Sequence, residues 1–247
     1  MTLTQKKSNQ KKTGKEKTLL LGFPGSGLIG TFAVSYIISR LQMDMVGEIT
    51  HPDMLPTVFV ENGEVIGPIR IYKKDGLYAV IADIPIHPDV ASEFVASLAD
   101  YCKKEGIGKV IVPSGINTEG PDQKDIRTYG LATDESLERL LYYNDIPKFL
   151  SGSIMGTDAT VIMTLRSLKV PLLMLYTTCH PYFPDPQASV SAIESIAKVL
   201  KINVDTADIQ KRVDYLRIQN RNLMQETLEA LYPQEKHVPS KAPPIYR

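Results

Sequence analysis

Gly25-Ser26-Gly27-Leu28-Ile29-Gly30 carries the spacing G-x-G-x-x-G. Glycines so placed let backbone N–H groups approach a pyrophosphate at the start of a helix, so the chemistry on offer is dinucleotide binding. The local context suits it: Lys17 to Phe23 is a short apolar run that reads as a buried strand, and Leu28 to Leu41 reads as a helix. The acidic partner about 20 residues further on fits less well, because Glu48 lies inside Val46-Gly47-Glu48-Ile49 rather than at a strand end. An antiparallel insert also interrupts the βαβαβ frame. The same residues equally make a tight strand-to-helix turn with close packing. Gly25, Gly27 and Gly30 therefore stay open between a cofactor-binding role and a structural one. No lysine follows them as G-x-x-x-x-G-K-[ST] demands, which excludes a P-loop ATPase.

The remaining reactive side chains form no catalytic set. Ser26, Ser114, Ser151 and Ser153 fall at loop positions, none inside a G-x-S-x-G elbow. His180 follows Cys179 at a strand end, and His51 and His87 precede prolines. Asp53, Asp83, Asp122, Asp125 and Asp185 lack ligand spacing and read as turn or cap residues. Cys102 and Cys179 read as reduced thiols buried in core elements, as in a cytosolic protein. The residues assign no catalytic group, no metal and no cofactor.

The sequence closes on Ile245-Tyr246-Arg247, a hydrophobic residue, a tyrosine and a third residue bearing the carboxylate. The apolar side chain and the ring offer area to bury, the phenol a hydrogen bond, and the carboxylate a charge for a lysine or a backbone nest. The preceding segment, Pro233 to Pro244, is rich in proline and unable to fold alone. Stiffness lowers the entropy lost on docking. The 15 residues from Pro233 to Arg247 could reach roughly 45 Å at ~3.1 Å each. The alternative is a frayed end without a partner.

These groups must be positioned by one domain or two, which 247 residues allow. Lysine plus arginine equals aspartate plus glutamate, 28 each. That balance argues against a general nucleic-acid binder, which needs a basic excess. Lys6, Lys7, Lys11, Lys12, Lys15 and Lys17 crowd the N-terminus with only Glu16 opposing. The segment 1–16 reads as a disordered basic arm, solvated or touching an acidic surface. With no secretory apolar region and no run of about 18 apolar residues, the expectation is a soluble, cytoplasmic protein without a membrane span.

Strand-like and helix-like segments then alternate. Extended pieces at Met54 to Glu61, Val65 to Tyr72 and Leu77 to Ile84 are separated by Asn62-Gly63 and Asp75-Gly76, both hairpin turns. Helices are expected from Asp89, as N-cap, to Glu105 before Gly106 or Gly108; from an Asp134 cap to Tyr143; from a Thr157 or Asp158 cap to Leu168; and from Pro186 to Leu200. Val110 to Pro113, Ile126 to Ala132, Lys148 to Ser153 and Val170 to Thr177 read as extended. This order predicts a three-layer α/β/α sandwich with a mixed, largely parallel sheet and an antiparallel insert. The core spans 17–205, a C-terminal helix 206–232, and a flexible tail 233–247. Along that helix Ile209, Val213, Leu216, Asn220 and Leu223 follow a 4-3 spacing. It is either a coiled-coil-like seam with one polar position or an amphipathic face packed on its own domain.

Several segments together resemble the archaeal homologues of the proteasome assembly chaperone family. They are Gly22-Phe-Pro-Gly-Ser-Gly-Leu-Ile-Gly30, Gly67-Pro-Ile-Arg-Ile-Tyr72, Asp83-Ile-Pro85, Pro113-Ser-Gly115, Gly152-Ser-Ile-Met-Gly156 and Pro184-Asp-Pro-Gln-Ala188. The likeness runs from about Leu19 to Leu200. It implies a single α/β/α domain, homo-oligomers of four or five subunits, and no enzymatic activity. It also implies a hydrophobic-Tyr-X tail, here Ile245, Tyr246 and Arg247, that docks between α-subunits of the proteasome ring. Members have been described as ATP-grasp-related by sequence, but the lysine and carboxylate pattern of those enzymes is not found here. The expected protein is an ATP-independent assembly chaperone or adaptor; the alternative is a nucleotide-binding or ATP-grasp-related enzyme using the Gly25 to Gly30 loop.

Overall fold

An eight-stranded mixed sheet divides the molecule in the computed structural model, which describes residues 2–5, 16–54, 56–117, 126–180, 184–206 and Ile209. Across the sheet the order is β1 (Thr2–Gln5), β3 (Asp44–Thr50), β6 (Ile69–Lys74), β7 (Leu77–Ala82), β2 (Lys17–Gly22), β8 (Ile107–Asn117), β10 (Leu172–Cys179) and β9 (Thr128–Ala132). The central strands β7, β2, β8 and β10 are parallel, and the flanking pairs are antiparallel. A separate hairpin joins β4 (Phe59–Glu61) to β5 (Glu64–Ile66).

Strands covered on both faces need apolar residues at every position rather than at alternate ones. Leu19, Leu20 and Leu21 of β2 are accordingly buried in succession. Leu19 and Leu21 face α2 (Pro88–Glu105) and α4 (Gly156–Ser167), in a core with Phe94, Leu98, Val161 and Leu165. Leu20 faces the opposite layer, α1 (Ile29–Leu41), α3 (Glu135–Tyr143) and α5 (Pro186–Leu200), among Ile37, Leu141 and Ile193. The three-layer α/β/α expectation holds.

Local signals hold where the chemistry is specific. Asn62 and Gly63 have φ of 52° and 83°, and Asp75 and Gly76 have 46° and 86°, the paired left-handed residues of a type I′ turn. Gly106, at φ 69°, closes α2. The Asp134 carboxylate accepts from the Leu137 N–H at 3.0 Å and caps α3. That bond, then the contribution of Ser136, holds the Asp134 pKa below its usual value. A carboxylate with a depressed folded pKa stabilises above the unfolded value and loses that contribution as pH falls through the folded one. Asp134→Ala should cost about 1 kcal/mol at pH 7 and progressively less as pH falls below the ordinary carboxylate range, read by urea unfolding across that range.

Five expectations need correction. Thr2–Gln5, assigned to a disordered arm, pairs antiparallel with 47–50 as strand β1, and Glu16 bonds Lys109 Nζ at 2.6 Å; the lysines from 6 to 15 lie outside the described residues. β3 had no place in the sequence reading. Val65 to Tyr72 is split at Gly67-Pro68, where the Gly67 N–H donates to Glu48 Oε1 at 2.8 Å, so β6 and β7 join the main sheet while β4 and β5 stand apart. Helix α2 is capped by His87 rather than Asp89, with Pro88 as its first residue. Lys148 to Ser153 makes no strand; Lys148 forms a lone bridge to Gly130. Ile209, the first residue of the 4-3 seam, is buried in the core beneath α1 and α5. The remaining seam residues lie outside the described part.

Candidate functional site

The carboxyl ends of β2, β8 and β10 meet the glycine segment at one edge of the sheet. After β2 the chain turns through a 3-10 turn, Ser26–Leu28, in which the Leu28 N–H donates to the Gly25 carbonyl at 2.9 Å. Gly27 sits at φ +62°, and Leu28, at φ 54°, starts α1. A Cβ on Gly27 would lie 2.9 Å from Cys179 Sγ and 3.1 Å from the His180 carbonyl. A Cβ on Gly30 would lie 2.7 Å from the Pro113 carbonyl and 2.8 Å from that of Phe23. The segment is thus wedged between β8 and β10. Asp185 holds it from the far side, its N–H donating to the Gly27 carbonyl at 3.3 Å while its carboxylate caps α5. Gly27 and Gly30 have steric reasons to be glycine. Gly25 does not: its nearest neighbour would be Ser114 Oγ at 3.7 Å, across open space.

That space is a cavity of about 460 Å³. Gly25 and Ser26 line one side, Ser114 of β8 and Tyr176 of β10 the floor, and Thr157 and Asp158 of α4 the other side. Ser114 and Tyr176 are register partners on adjacent parallel strands. Apolar walls come from Ile116, Phe149, Ile154 and Met155, with the Phe149 ring 5.4 Å from that of Tyr176. No lysine, arginine or histidine is among the described lining residues. A second cavity of about 270 Å³ adjoins it across Pro24, Gly156 and Thr157 and is lined mainly by Pro85, Ile86, Pro88, Ala91 and Met163.

The helix α4 starts at Gly156, with Met155 at the cap position and no side-chain cap. The expected caps, Thr157 and Asp158, are both inside its first turn, which places Asp158 at the cavity. Burial raises its pKa to about 6, against the opposing influence of the Ser114 hydroxyl and the Tyr176 phenol that face it. Tyr176 is 1 % exposed and its hydroxyl has no hydrogen-bond partner at bonding distance. Burial and then the nearby Asp158 charge push the phenol's pKa well up.

Other reactive groups are accounted for structurally. Asp83, read as a turn or cap residue, instead forms an ion pair with buried Arg70. His51 lies 3.3 Å from Glu93. Cys102 and Cys179 are buried thiols whose pKa values burial pushes up to about 12, far from the thiolate needed for reactivity. Among the described residues no group of three acidic, histidine or cysteine side chains stands together as metal ligands. No described helix is long and apolar enough to cross a membrane. Ile245, Tyr246 and Arg247 lie outside the described residues, as do Asp122 and Asp125. Sequence reasoning missed Asp158 and Tyr176, one taken for a cap and the other for part of a buried strand.

The glycine segment, Pro113-Ser-Gly115 and Gly152 to Gly156, distant in sequence, converge on this one edge. The PAC2 family profile matches residues 19–224. The chain belongs to the PAC2 family. PbaA of Pyrococcus furiosus, an archaeal homolog of proteasome-assembly chaperone, shares the fold at TM-score 0.81 and 24% identity, over 87% of this chain and 95% of that one. PbaB of the same organism, an archaeal proteasome activator, matches at TM-score 0.73 and 17% identity, over 90% and 98%. The uncharacterized protein MJ0106 of Methanocaldococcus jannaschii is 24% identical over 221 residues, 88% of this chain and 89% of its own. The ATP-grasp description finds no support among these PAC2 relatives.

Proposed function

We propose that this protein is an ATP-independent assembly chaperone or adaptor for the proteasome core particle that docks on α-subunit rings through Ile245, Tyr246 and Arg247. The observation that carries this is the coincidence of a PAC2 core with a hydrophobic-Tyr-X terminus on a proline-rich tail. Ile245 fills an apolar recess, Tyr246 packs and donates a hydrogen bond, and the Arg247 carboxylate meets a cation. The body has no enzymatic role in this reading. The glycine loop serves the fold: Gly27 and Gly30 are needed for packing, and a cavity with no basic residue among its described lining is poorly suited to nucleotide phosphates. Capture of α-rings by the intact chain, compared with a chain ending at Pro244, tests the proposal.

The body acts as a homo-oligomer, so that several weak tripeptide contacts combine into useful avidity. The helix that leads to the tail divides into two roles. Ile209 belongs to the core of its own domain, and the later seam positions, centred on Leu216, join subunits. Leu216→Asp should split the assembly into folded subunits by light scattering, whereas Ile209→Asp should lower the free energy of unfolding by about 3 kcal/mol. An intact assembly with Leu216→Asp places the interface elsewhere.

A further inference from the structure

We propose that the cavity between the glycine loop and the start of α4 binds a small organic amine with a compact apolar body. Asp158 supplies a carboxylate that no lysine, arginine or histidine among the cavity's described lining residues offsets. Tyr176 supplies a buried hydroxyl at the same cavity that faces Asp158 but has no hydrogen-bond partner at bonding distance. Buried polar groups are paired as a rule, and an unpaired one at a cavity wall needs something to complete it. Ser114, 7 % exposed, adds a third polar group beside them.

A ligand ammonium meets all three: it neutralises the carboxylate and donates to the two hydroxyl oxygens. Phosphates and carboxylates are disfavoured, because Asp158 would repel them and no cation among the described lining residues would hold them. Opposite the polar floor, Phe149, Ile116 and Met155 offer apolar surface, which suits a ring or branched body carried by the amine. The site is independent of tail docking. Its residues come from β8, β10 and α4, whose positions are fixed by the sheet.

The test is calorimetric titration of the full chain at pH 7.5 and constant ionic strength with benzylamine, phenethylamine, tyramine and cyclohexylamine, and with ATP as the anionic counterpart. At least one amine should bind with a Kd below about 1 mM, and ATP should not bind. Asp158→Asn should weaken that amine at least tenfold, and Tyr176→Phe several-fold, with both variants melting cooperatively. If Asp158→Asn does not fold, Tyr176→Phe and Ser114→Ala carry the comparison. Absence of binding by all four amines, unchanged affinity in the folded variants, or ATP binding lost on Asp158→Asn overturns the proposal.

Discussion

Removal of Ile245 to Arg247 is expected to abolish capture of proteasome α-rings while leaving the fold and the oligomer unchanged. The effect is large under the docking proposal, which places the contact on these three residues after the proline-rich sequence Pro233 to Pro244. Tyr246→Ala alone should weaken each contact at least tenfold, about 2 kcal/mol, as expected for an aromatic anchor with a bonded hydroxyl. Several tails acting together multiply that loss. The variants should melt at the temperature of the intact chain, since the described core closes with Ile209. Equal capture by intact and truncated chains would sink the docking role, whatever the body does.

The largest stability effect is expected at Gly115. A Cβ there would lie 2.1 Å from the Ser26 carbonyl oxygen and 2.5 Å from Cys179 Sγ. The first obstacle is backbone, so no rotamer change relieves it, and the glycine segment must leave its wedge. Overpacking of this kind costs 1–3 kcal/mol in ordinary cores, and about 3 kcal/mol or more is expected here. For a chain of this size that lowers Tm by roughly 6–12 °C. Gly30→Ala, blocked by the Pro113 and Phe23 carbonyls, should behave alike. Gly63→Ala is the comparison: nothing lies within 4 Å of its Cβ, and only its φ of +83° resists, which costs about 1 kcal/mol. Thermal unfolding of the three variants measures the order. Equal melting of Gly115→Ala and the parent would mean that the wedge is soft.

Turn chemistry and apolar runs made most of the core readable. Asn62-Gly63 and Asp75-Gly76 demand left-handed backbone, Asp134 demands a helix start, and Leu19 to Leu21 or Leu172 to Leu175 admit only a strand covered on both faces. Strand β3 was hidden because Asp44, Gly47 and Glu48 break its apolar pattern; its partners β1 and β6 supply the pairing. Lys148 to Ser153 misled because Phe149 and Leu150 look like strand residues, yet Phe149 packs on Tyr176 and Leu150 is exposed. The cavity was illegible for a different reason. Ser114, Asp158 and Tyr176 are far apart in the chain and meet only through the parallel register of β8 with β10 and the late start of α4. No local spacing encodes that meeting.

The place of β2 in the middle of the sheet has a consequence for how the chain is made. Its most apolar residues, Leu19 to Leu21, are synthesised before both of their neighbours, Tyr78 to Val80 on one side and Val110 and Ile111 on the other. About 60 residues separate the strand from its nearer partner. At ~5–20 residues per second, the strand waits roughly 3 to 12 seconds on the ribosome before the nearer partner exists. The second waits longer still. During that interval a strand with three successive leucines next to a lysine-rich stretch is exposed to every other nascent chain, so slowing translation between β3 and β7 should lower the soluble yield more than slowing it after β10.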